Sequence, residues 1–123
     1  VLRRLARLFV FAASLSVSGC LSPALPLPPP EPTFIEAAAT PGRWIVSGQS
    51  NEAHALIVIQ NERTNDGVST TSDGATRAYK VEIDAKLCDS ATVLELDEGS
   101  SEVARTPFVI QPTRDGFGDR SCQ

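Results

Sequence analysis

Few side chains in this sequence could do chemistry on their own: three cysteines (Cys20, Cys88 and Cys122), a single histidine (His54), and acids grouped around a few glycines. A Ser-His-Asp or Cys-His relay would have to rest on His54 alone. No Gly-x-Ser-x-Gly turn is present to raise a nucleophile. His54 is therefore expected to be an edge-strand histidine at the start of a strand running to Asn61. Asp97, Glu98 and Glu102 surround Gly99-Ser100-Ser101, but the Asp-x-Asp-x-Asp-Gly order of a calcium loop is missing. These acids are expected to be solvated turn residues. Asp66-Gly67, Asp73-Gly74 and Asp115-Gly116 read as turns, not phosphate cradles, because none opens a helix. The expectation is a chain with no catalytic residue, no cofactor and no metal site.

Val1 to Arg7 carries three arginines and no acid, and Leu8 to Val17 is an apolar run broken only by Ala and Ser. That order is the n-region and h-region of an export signal. Ten apolar residues are too few for a bilayer, which needs about 20. Val17-Ser18-Gly19-Cys20 follows, an aliphatic residue, two small residues and a cysteine. It resembles the lipobox of bacterial lipoproteins. The resemblance implies that residues 1–19 are a lipoprotein signal peptide, that Cys20 receives a diacylglycerol, and that the amine freed by cleavage is acylated, for example with palmitate. Two or three acyl chains, at about 0.8 kcal/mol per buried CH₂, would hold the domain to a membrane. Leu21 in place of Asp after the lipidated cysteine favours the outer membrane by the same resemblance. The expected location is the bacterial cell envelope, lipid-anchored.

All 15 acids lie beyond residue 19, so eight basic residues face fifteen acidic ones in the mature chain, a formal charge of −7. Such a chain has no electrostatic claim on nucleic acid or anionic lipid. From Leu21 to Pro41 there are seven of the nine prolines. This composition favours extended polyproline II, and residues 20–41 are expected to be the lipidated cysteine and a disordered, proline-rich tether.

Beyond Pro41 the pattern changes to short apolar alternations between turn signals. Strands are expected at Arg43 to Gly48, His54 to Asn61, Val68 to Thr71, Thr76 to Ala85, Thr92 to Asp97 and Val103 to Ile110. Tyr79, Val81 and Ile83 alternate with Lys80, Glu82 and Asp84, the clearest strand signal in the chain. The expected core is Ala55, Ile57, Ile59, Tyr79, Val81, Ile83, Leu94 and Leu96. Five or more short strands with regular turns predict an all-β sandwich over residues 42–112. The series Ala55-x-Ile57-x-Ile59-x-Asn61, Ser72-Asp73-Gly74, Tyr79-x-Val81-x-Ile83-x-Ala85 and Asp89 before Leu94-x-Leu96 is similar to immunoglobulin-like, prealbumin-like modules of the carboxypeptidase regulatory type. That resemblance implies an Ig-like Greek-key β-sandwich with a non-catalytic role. It carries no catalytic residue across.

With Cys20 acylated, Cys88 and Cys122 remain as an even pair in an exported domain. A bridge between them would staple the tail, residues 113–123, to the sandwich. Two free thiols are the alternative, although no Cys-x-x-Cys spacing supports redox chemistry. The functional expectation is an envelope lipoprotein, anchored to the membrane, whose module binds or scaffolds a protein or polysaccharide partner. A small periplasmic enzyme or enzyme inhibitor is the alternative, and it would need a pocket with convergent polar groups. Metabolic labelling with a fatty acid is expected to mark the wild-type chain and not Cys20→Ser; equal labelling of the two, or none in either, would contradict lipidation.

Overall fold

The computed structural model describes residues 30–122. Residues 1–19, expected to be a signal peptide, Cys20 and most of the expected tether lie outside the described residues. Those described form nine strands and no helix: β1 (Pro32–Ala37), β2 (Arg43–Gln49), β3 (Leu56–Asn61), β4 (Gly67–Thr71), β5 (Ala78–Asp84), β6 (Ser90–Leu96), β7 (Glu102–Val109), β8 (Thr113–Arg114) and β9 (Phe117–Gly118). All pairings are antiparallel. One sheet, here sheet A, has the order β5-β2-β1-β8-β9, and sheet B has the order β4-β3-β6-β7. The fold is an all-β sandwich, and its two inner faces meet over Val46, Ile57, Ile59, Ile83, Val93 and Ile110, each at most 1 % exposed.

The strands begin and end where the local chemistry lets the chain turn. Asn65, Arg77, Cys88, Ser100 and Asp115 all take positive φ between strands. In the β8–β9 hairpin Asp115 and Gly116 both have positive φ, at 53° and 80°. Two such residues make the tight turn whose twist matches the flanking strands. Asp73 caps the crossing from β4 to β5, its carboxylate accepting from the N–H groups of Ala75 and Thr76 at 2.8 Å each.

The sandwich begins earlier than the proline-rich composition predicts. Pro32–Ala37 is β1, paired with β2 on one side and β8 on the other, and Pro30 is buried. Proline disfavours a ladder only where its missing N–H is needed, and here it starts the strand beside a register irregularity between Pro32 and Phe34. Tyr79 fixes the entry point. Its buried hydroxyl donates to the Pro30 carbonyl at 2.8 Å, and burial raises the phenol further above its ordinary range, so it stays a donor. Gly48 is required alongside, since a Cβ there would lie 2.6 Å from the Tyr79 oxygen and 2.9 Å from the Glu31 carbonyl. The domain is correspondingly wider than residues 42–112, taking in β1 before and β8 and β9 after.

β6 faces the opposite way from the expectation. The ladder with β3 sets Val93 beside Ile59 and Glu95 beside Ile57, so Ala91, Val93 and Glu95 point inward, while Leu94 and Leu96 are half-buried on the outer face. Register decides this, because one step along a strand exchanges its faces. The core accepts Glu95 because its carboxylate is fully hydrogen-bonded: Asn51 N–H at 2.9 Å, the Asn51 amide at 2.7 Å and Glu52 N–H at 3.2 Å. Likewise β3 starts at Leu56, and His54 lies in the preceding turn with φ of 57°.

Truncation separates the two registers. Ile57→Ala or Ile83→Ala should cost about 2 to 5 kcal/mol in urea unfolding followed by the single tryptophan, Trp44. Leu94→Ala should cost under about 1.5 kcal/mol, because its side chain is only half-buried. Equal costs at the three positions would refute the register.

Candidate functional site

The outer face of sheet A carries a row of side chains that no local motif announces. Phe34 opposes Ser47, Ser47 opposes Lys80, and Arg114 opposes Phe117. The Ile35–Thr113 pairing brings Arg114 beside Phe34. One line therefore crosses all five strands in the order Phe117, Arg114, Phe34, Ser47, Lys80. Neighbouring strands lie about 4.8 Å apart, which separates Arg114 from Lys80 by roughly 14 Å. The same five residues line a groove of about 380 Å³, with Glu36 and Asp119 on its walls. Phe34 is 44 % exposed and Phe117 is 81 % exposed, a conspicuous placement for two of the five phenylalanines. Lys80 and Arg114, like Arg77, Lys86 and Arg120, have no salt-bridge partner among the described residues, whereas Arg43 has two and Arg63 and Arg105 have one each.

Two of the five members of this row, Arg114 and Phe117, stand on a strap that buries very little. Beyond Ile110 the chain makes one ladder pairing with β1, a bond from Gly116 N–H to the Thr33 carbonyl at 3.0 Å, and one from Asp119 N–H to the Pro112 carbonyl at 3.0 Å. Arg114, Phe117 and Gly118 are exposed. What ties the strap down is covalent. Cys88 and Cys122 form a disulfide pair across a separation of 34 residues, with their Cα atoms 5.2 Å apart. Cys88, at φ of 71°, also donates its N–H to the Ile110 carbonyl at 2.7 Å, so the bridge sits where β7 ends and the strap begins.

The turn that carries Cys88 is itself held by a buried polar cluster. Asp89, 7 % exposed, accepts from Arg63 at 2.7 and 3.0 Å, from Lys86 N–H at 2.8 Å and from the Asn61 amide at 2.9 Å. Asn61 is fully buried, its amide oxygen accepting from Arg63 N–H at 2.9 Å. The Arg63 guanidinium first, then the Lys86 N–H and the Asn61 amide, hold the Asp89 carboxyl well below the usual carboxylate range, against the opposing effect of burial. Arg63 is correspondingly raised by its bond to Asp89.

The residues singled out from sequence fall elsewhere. His54 is exposed, its ring against Gly74, where a Cβ would lie 2.6 Å from Cε1 and Nε2. Asp97 spends its carboxylate on the β6–β7 turn, accepting from Ser101 N–H at 2.9 Å. Cys20 lies outside the described residues. Of the row itself, sequence reasoning missed all five members. Phe34 sits in the stretch assigned to the tether and Phe117 in the tail, and only pairing register joins them. No family model matches the chain, and no curated protein matches it.

Asp89 also sets an acid limit. Its carboxyl is depressed in the fold relative to the unfolded chain, so the unfolded state binds more protons below about pH 4, and stability falls as pH drops through that range. Asp89→Asn should lose on the order of 2 to 3 kcal/mol at neutral pH and flatten the decline below about pH 4. An unchanged acid slope in the variant, measured by denaturant unfolding at each pH, would contradict this assignment.

Proposed function

We propose that the chain is a lipid-anchored envelope protein whose sandwich is a non-catalytic, Ig-like binding module, with the outer face of sheet A as its binding face. The observation that carries the reading is the exposed row from Phe117 to Lys80 across that sheet. Strand order supports the Ig-like part. Taking β1, β2 and β5 as A, B and E, and β4, β3, β6 and β7 as C′, C, F and G, gives sheets ABE and C′CFG, which is similar to that architecture without a strand D. β8 and β9 are then an addition beside strand A, and they supply Arg114 and Phe117.

Val17-Ser18-Gly19-Cys20 supports the anchor. Anchoring confines the domain near a surface, so a small face of modest affinity suffices for stable engagement. His54 has no part in this reading. In a deletion strain with an envelope phenotype, His54→Ala should complement as the wild type does, whereas Cys20→Ser should leave the membrane fraction and fail to complement. A functional Cys20→Ser, or a null His54→Ala that still accumulates, would overturn the proposal.

A further inference from the structure

The side chains of the row, taken with the walls of the groove, specify a ligand class, and the argument rests on the binding-module reading above. We propose that the groove on the outer face of sheet A binds an acidic glycan, a pyranose chain bearing carboxylates, laid across the strands.

Three features lead there. Phe117 and Phe34 offer two apolar ring faces on either side of a guanidinium, and a pyranose has a C–H face that covers such a ring. Arg114 and Lys80, free of salt bridges among the described residues, can each hold a carboxylate, and the Ser47 hydroxyl lies between them and faces the same groove. Glu36 and Asp119 on the walls would repel a bare polyanion, yet they accept hydrogen bonds well from sugar hydroxyls. A ligand that uses ring faces, cations and carboxylates together is polyhydroxylated as well as anionic.

A peptide fits less well. The row runs across strands that are already paired on both sides at β2 and β1, so this face presents no open ladder edge to an extended backbone. The peptide would leave water without regaining its main-chain hydrogen bonds.

Calorimetric titration of the detergent-solubilised full chain tests the inference with three probes: hexagalacturonate, neutral maltohexaose and hexaglutamate. Saturable binding is expected for hexagalacturonate, and binding of the other two at least about tenfold weaker. Phe34→Ala and Lys80→Ala should each weaken hexagalacturonate binding by about tenfold. Both side chains are exposed, so the fold should survive. Leu87→Ala, exposed and outside the groove, should bind as the wild type does. No saturable binding of hexagalacturonate overturns the proposal, as does equal binding of maltohexaose or hexaglutamate. Variants in the row that bind as the wild type does, or a loss in Leu87→Ala matching theirs, also overturn it. Membrane fractionation of the same preparations reads the anchor separately, so a negative titration removes the glycan while leaving the lipoprotein reading to its own test.

Discussion

The covalent link between Cys88 and Cys122 is the constraint on which the exposed row depends. A sandwich of seven strands would stand without it, but the strap that follows Ile110 has one ladder pairing to β1 and few buried side chains. Closing a loop of this length removes about 3 to 4 kcal/mol of chain entropy from the unfolded state. The bridge also has a local consequence: it fixes the edge of sheet A that carries Arg114 and Phe117. The turn bearing Cys88 is in turn held by Asp89, Asn61 and Arg63, so a buried polar cluster supports the bridge and the bridge supports the groove.

Two buried carboxylates do different work in this fold. Asp89 pairs with Arg63, and its cluster also receives the backbone at Lys86 and Arg63. Glu95 has no salt-bridge partner among the described residues and instead receives two backbone N–H groups and an amide from residues 51 and 52. Both are satisfied, which is why the sandwich tolerates them between apolar faces. Each fastens a crossing between the sheets: Glu95 the β2–β3 crossing and Asp89 the β5–β6 crossing. The apolar strands alone would leave these crossings loosely specified.

The sequence made the sandwich legible because alternation is a local signal. Tyr79, Val81 and Ile83 could face only one way once Lys80, Glu82 and Asp84 faced the other, and the structure has them so. β6 was misread because Leu94 and Leu96 look like core while Glu95 does not, and the partners of Glu95 lie more than 40 residues away. β1 was misread because proline content outweighed the Thr33 to Ile35 stretch, and its membership in the sheet depends on Tyr79 and Gly48, far along the chain. The row across sheet A was invisible for a related reason. Its five members come from five strands, and their order follows from registers that no window of sequence contains.

A chain carrying a formal −7 beyond residue 19 nevertheless places two cations without salt bridges among the described residues on one face, Arg114 between two aromatic rings and Lys80 at the end of the row, and two of the five members of that row stand on the strap. Hydrogen exchange measured with the Cys88–Cys122 pair oxidised and then reduced tests the dependence of the strap on the bridge most directly. The amides of Gly116 and Asp119 should be protected only in the oxidised protein, while those of β2, β3 and β6 stay protected in both states. Equal protection of Gly116 and Asp119 after reduction would contradict the account, because the strap would then hold its place without the bridge.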